Sequence, residues 1–254
     1  MPFFPHLLST AIPGALLLIV LASGPLTPAQ AQPLGGTGID AASAVAVVVK
    51  VPKPWYAPRW VVVGRMRDTV PQYAALPGLA HKAFSLAQAD GQYGGLYLWK
   101  DEASARAFFS PDWFVRVEKE RGVKGQVQFF EVPVAVANAP GAEADGGDAV
   151  GTLVLVATPP GTGKASLKQA FEASVPVYRK IPGLLRKYFI VTDDGRFGGI
   201  YLWKDQASAQ QWFTEAWKER VLKTYGSAAT LEWFDTPILL PSQRADNQPA
   251  IPGL

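Results

Sequence analysis

Hydrophobic and polar positions follow two periods along this chain, one of strands and one of helices, and the whole succession occurs twice. The run from Val45 to Lys50 is apolar and β-branched and reads as a strand; Thr152 to Ala157 is its partner in the second half. Leu167, Ala170, Phe171, Ser174 and Tyr178 then fall at helical spacing and predict an amphipathic helix. In the first half the matching stretch, Trp60-Val61-Val62-Val63-Gly64, has strand propensity, and only the repeat assigns it to a helix. Two strands follow around a tight turn, for which Ala89-Asp90-Gly91 and Asp193-Asp194-Gly195 supply the turn residues. Asp205 caps a helix whose apolar positions Ala209, Trp212, Phe213, Ala216, Trp217 and Val221 form one continuous stripe, ended by Gly226. The first half repeats the stripe with Ala105, Phe108, Phe109 and Trp113 after Asp101, but Ser110-Pro111 breaks the helix and restarts it. Last strands run from Val127 to Val132 and from Leu231 to Thr236.

The duplication is anchored by Gly94-Gly95-Leu96-Tyr97-Leu98-Trp99-Lys100-Asp101, which recurs as Gly198-Gly199-Ile200-Tyr201-Leu202-Trp203-Lys204-Asp205 with one change. Pro77-Gly78-Leu79 likewise recurs as Pro182-Gly183-Leu184, and one residue is missing from the intervening turn of the second copy. The predicted fold is α+β: two tandem ferredoxin-like βαββαβ units, at 45–136 and 151–240, joined by a linker at 137–150 rich in turn formers. A sheet with both helices on one face leaves its other face bare. The sheet of the other copy is the economical cover, giving a dimeric α+β barrel within one chain, a monomeric pseudo-dimer with a pocket in each half.

Composition narrows the function. The first 31 residues hold no Lys, Arg, Asp or Glu, carry an apolar run from Ala11 to Ala22 and reach Ala29 and Ala31, the pattern of a signal peptide cut after Ala31. The expected location is therefore periplasmic or secreted, with no membrane span after cleavage, a flexible lead at 32–44 and a loose tail at 241–254. A formal charge of +3, spread among acidic residues, argues against nucleic acid as a partner. Without cysteine there is no disulfide framework and no thiolate chemistry.

The second-half run Gly-Gly-Ile-Tyr-Leu-Trp-Lys-Asp-Gln-Ala-Ser-Ala, with Tyr225-Gly226 and Glu232-Trp233-Phe234-Asp235-Thr236-Pro237 after it, resembles the YdhR-like mono-oxygenase family of the dimeric α+β barrel superfamily. The resemblance runs from about Thr152 to Leu240 and, more eroded, from about Val45 to Val136. It implies oxygenation of a phenolic or polycyclic aromatic substrate by O2 with no metal, flavin or other cofactor. This chain departs from the family in fusing two units and in carrying an export signal.

Residues able to do chemistry fall in matched pairs. Tyr201 and Trp203 share one strand face and Ile200 and Leu202 the other. The aliphatic pair is expected to seat the helices, which leaves Tyr97, Trp99, Tyr201 and Trp203 between the sheets. There Trp99, Trp203, Trp233 and Phe189 would bind a flat substrate, with Tyr97 and Tyr201 hydrogen-bonding its oxygen. Lys82 and Lys187, at equivalent positions, would stabilise a phenolate. Glu131 and Asp235 also correspond and are candidate general bases. Each of these residues has a bland alternative, as barrel filling or solvated strand. His81 is the only histidine after residue 31 and has Arg186 at its equivalent position, so a haem ligand would exist in at most one half. Thr158 to Ala165 imitates a phosphate-binding loop but lacks its first glycine and its Ser/Thr. A non-catalytic exported binding protein for a small apolar or aromatic ligand is the alternative function. The broken helix at Pro111 makes the second half the expected better site.

Overall fold

The computed structural model describes residues 43–54, 56–138 and 147–240. The expected signal peptide and tail, and most of the lead and linker, lie outside them.

The first half runs β1 (Ala44–Val51), α1 (Arg59–Ala74), β2 (Leu79–Ala87), β3 (Tyr93–Trp99), α2 (Glu102–Phe108), α3 (Pro111–Arg121) and β4 (Gln126–Ala137). The second repeats that order as β5 (Val150–Ala157), α4 (Lys164–Tyr178), β6 (Leu184–Val191), β7 (Arg196–Trp203), α5 (Gln206–Trp212), α6 (Glu215–Tyr225) and β8 (Thr230–Leu239). All eight strands form one closed antiparallel barrel in the order β1-β3-β2-β8-β5-β7-β6-β4. Closure leaves no unpaired edge.

The last strand of each half makes the closure, and it is longer than its sequence pattern predicts. From Gln126 to Val132, β4 pairs with β1; after an irregularity it runs on beside β6, with Val134 opposite Phe189 and Ala137 opposite Arg186. In the same way β8 pairs first with β5 and then with β2, with Ile238 opposite Phe84 and Leu239 opposite Ala83. The register shift reverses which side chains face inward. Val134 and Val136 therefore pack beneath the helices of the second half, and Ile238 and Leu240 beneath those of the first.

Strand alternation divides the core in three. Ala44, Ala46, Val48, Ala83, Leu96, Leu98, Phe130, Tyr188, Ile190, Ile200, Leu202 and Phe234 fill the barrel interior. Tyr97 and Trp99 lie between the first-half sheet and α1–α3, and Tyr201 and Trp203 between the second-half sheet and α4–α6. The sequence expectation was the reverse and is corrected. An eight-stranded barrel is only wide enough for its side chains to fill. Alanines and aliphatics of both halves fit that space, while the bulky rings go to the looser layer under the helices.

A second correction concerns the predicted continuous helix after Asp205. Phe213 leaves helical geometry at φ −87 and ψ 56, and Thr214 starts α6 by accepting from the Trp217 amide at 3.2 Å. The first half has the same break, with Phe109 and the Ser110 cap. Both halves are thus built alike here, and Pro111 gives no reason to rank one site above the other. The valine run of the first half is helical, as the repeat requires; it buries Val62 and Met66 against the sheet.

Candidate functional site: a lysine cage in each half

The site begins with the double glycine, which lies inside β3 and β7 and does not start them. A Cβ on Gly94 or Gly198 would sit 1.9 Å from the carbonyl oxygen of Val49 or Val154, so the first glycine lets two backbones approach. A Cβ on Gly95 would meet the Tyr97 ring at 2.7 Å and the Lys82 stem at 3.1 Å; on Gly199 it would meet Tyr201 at 2.9 Å and Lys187 at 3.0 Å. The second glycine therefore vacates the space into which a tyrosine ring folds and through which a lysine passes.

Lys82 lies opposite Tyr97, and Lys187 opposite Tyr201, on neighbouring strands. Each lysine runs outward from the sheet into the helix-side layer and ends against aromatic faces. Lys82 Nζ is 2.9 Å from the centre of the Tyr73 ring, 3.8 Å from Phe84 and 4.5 Å from Tyr97. Lys187 Nζ repeats this at 3.3 Å from Tyr178, 3.8 Å from Phe189 and 4.7 Å from Tyr201. The two residues are 1% and 3% exposed.

Burial pushes both lysines well below the ordinary ammonium range, and desolvation is the cause that accounts for it. Ring faces favour an ammonium by roughly 2 kcal/mol when desolvated. Burying an unpaired charge costs several kcal/mol per ion. Desolvation outweighs the rings and favours the neutral form of the amine.

The tyrosines are held protonated. Burial raises Tyr97 and Tyr201 well above the usual phenol value, and the neighbouring Tyr73 or Tyr178 adds to it. Tyr73 and Tyr178 are raised too, mainly by burial, and each shares a hydrogen bond with its strand partner. Each cage thus holds a buried amine beside a hydrogen-bonded pair of phenols in a dry setting. Behind it Tyr97 stacks on Trp99 at 6.3 Å, and Tyr201 on Trp203 at 5.9 Å.

Of the residues expected from the sequence, Lys82, Tyr97 and Trp99 come together in one cage, and Lys187, Tyr201, Trp203 and Phe189 in the other. Trp233 stands outside the second cage, 5.9 Å from Phe213, which in turn packs edge-on to Tyr201 at 5.2 Å. Glu131 and Asp235 do not reach either amine. Glu131 pairs with Lys164 at 2.7 Å, and Asp235 with Arg59 while accepting from Gln88 at 2.8 Å. Lys164 and Arg59 begin the first helix of the opposite half, so these carboxylates bridge the halves; the general-base expectation for them is corrected. That ion pair is also where the lysine of the P-loop-like stretch goes. His81 faces away from the cage, its Nδ1 2.9 Å from the Tyr188 hydroxyl of the other half. Among the described residues no group of three His, Cys, Asp or Glu side chains is placed to hold a metal.

Tyr73 and Phe84 were missed, and Tyr178 was read only as part of a helical apolar face. The signal was present: Tyr73 and Tyr178 stand at equivalent positions of the repeat.

The fold is shared with solved bacterial proteins. A protein from Fusobacterium nucleatum subsp. nucleatum aligns with a TM-score of 0.60 at 11% identity, covering 83% of this chain and 100% of its own. One from Lactobacillus acidophilus aligns at 0.52 and 13% identity, covering 79% and 97%. Both are named as putative monooxygenases. No protein-family model matches the chain, and no curated protein does.

Proposed function

We propose that the chain is a cofactor-independent mono-oxygenase of a phenolic substrate, built from two tandem ferredoxin-like units of YdhR-like type. The observation that carries this reading is the fully buried amine among phenol rings, present at equivalent positions of both halves. Lys82 or Lys187 takes the hydroxyl proton of the substrate, and Tyr97 or Tyr201 donates to the resulting oxyanion. The electron-rich anion then reacts with O2; one oxygen atom enters the ring to give a quinone and the other leaves as water. The aromatic walls exclude bulk water from the intermediate. The names of the two solved neighbours agree with oxygen chemistry on this fold. The chain acts as an exported monomer, its barrel closed without a second copy, and light scattering should return the mass of one chain.

The experiment is oxygen uptake by the purified protein with a panel of hydroquinones and naphthalenediols, in the presence of a chelator. Quinone formation that falls at least tenfold in Lys82→Met/Lys187→Met is expected; uptake indifferent to both lysines overturns the assignment. The full burial of both amines favours one second reading, a non-catalytic binding protein for the same ligands. Binding without quinone formation selects it.

A further inference from the structure

Both amines are sealed, so a phenol reaches them only if part of the cage moves. The nearest rings, Tyr73 and Tyr178, belong to the last turns of α1 and α4. Each helix carries a proline two residues earlier, Pro71 and Pro176, at equivalent positions of the repeat. A proline inside a helix has no N–H for the carbonyl four residues back, here Arg67 or Glu172, and its ring crowds that carbonyl. The turn that holds the tyrosine over the amine is therefore joined to the rest of its helix by one backbone bond fewer than a regular helix has. In the second half Asn138 Nδ2 adds a side-chain tie, donating to the Tyr178 carbonyl and to the Leu184 carbonyl, each at 3.0 Å.

We propose that these last turns are doors, and that the Tyr73 and Tyr178 rings stand where a single-ring phenol binds. The proposal rests on the cage being a phenol site. When the turn unwinds, the tyrosine leaves the amine and a ligand ring of the same size replaces it. The ligand hydroxyl then meets the Tyr97 or Tyr201 hydroxyl that had held the tyrosine. The vacated space has the dimensions of one ring, because Phe108 lies 5.9 Å from Tyr73 and Trp212 5.8 Å from Tyr178. The favoured ligand is a monocyclic phenol, so the single-ring members of the oxygen-uptake panel should be preferred to the fused naphthalenediols.

The test is calorimetric titration of the full chain with p-cresol. Pro71→Ala/Pro176→Ala restores the missing backbone bonds and should weaken binding about tenfold. Asn138→Ala frees the second-half turn and should tighten the second-half site roughly threefold or more, the equivalent of one modest hydrogen bond. 4-Methylanisole, which has no hydroxyl to donate, should bind at least about tenfold more weakly. Slower amide exchange from Tyr178 to Ile181 in the proline variant verifies that the turn was tied down. Absence of p-cresol binding, or an affinity the prolines do not alter, overturns the door. Oxygen uptake is read separately: lysine-dependent uptake without p-cresol binding removes the door and leaves the oxygenase. Proline-dependent binding without uptake does the opposite.

Discussion

At the scale of residues, each member of the repeated Gly-Gly-x-Tyr-Leu-Trp-Lys-Asp stretch has a separate physical task. The glycines make room for a backbone and for the cage, the aliphatics fill the barrel, the rings line the helix side, and the Asp caps the next helix through the Ser104 or Ser208 amide at 2.7 Å. Gly199→Ala presses a methyl onto Tyr201 and Lys187 and should cost about 1–3 kcal/mol in chemical denaturation, as overpacking does. The depressed lysines set a pH dependence. Between their folded values and 10.5 the unfolded chain binds the protons that the folded chain does not, so stability rises with pH through that window. The raised tyrosines act in the other direction above 10, where the unfolded chain ionises first. The melting temperature should accordingly climb with pH toward about 10 and then fall; a profile flat up to about pH 9.5 would mean that the amines keep an ordinary ammonium pKa.

At the scale of elements, the paired short helices replace what reads as one stripe. Apolar spacing continues unbroken from Ala209 to Val221 because Phe213 and Trp217 both pack on the core. Periodicity cannot register a break whose two sides share one apolar face, and the cap is the readable signal: Thr214, like Ser110, accepts from the amide three residues on. Thr214→Ala should cost about 1 kcal/mol in thermal unfolding, the ordinary loss of an N-cap, and Ser110→Ala about the same. Strand identity and repeat order were legible for a stronger reason, since long β-branched runs and two copies of one pattern agree. The direction of the strand faces was not legible. Both faces of β3 and β7 are apolar, so alternation separates Tyr and Trp from Leu and Ile without saying which set meets the helices. Side-chain size decides it, and the alternating alanines of two strands, Ala44 and Ala46 on β1 and Ala83 and Ala87 on β2, are the clue to a narrow interior.

At the scale of the molecule, the two halves are joined by exchange. Each sends the end of its last strand beneath the helices of the other, and each anchors that strand with an ion pair, Glu131 to Lys164 and Asp235 to Arg59. A third pair, Lys50 to Glu232 at 2.8 Å, links the halves again. The exchange was hidden in the sequence because the strand ends lie beyond the obvious β-branched runs, at Val134 and Ile238. Carboxylates expected to be bases are fasteners, while the proposed chemistry is assigned to two buried lysines whose desolvation is expected to cost stability. Methionine fills a similar volume without an amine to desolvate, so replacing both lysines should stabilise the chain while removing the proposed phenol chemistry. The decisive measurement is the unfolding free energy of Lys82→Met/Lys187→Met against the parent at pH 7. A gain of about 1–3 kcal/mol per site is predicted from the cost of an unpaired buried polar group. A double variant less stable than the parent would contradict the account, for it would show the amines held as structural cations by the rings around them.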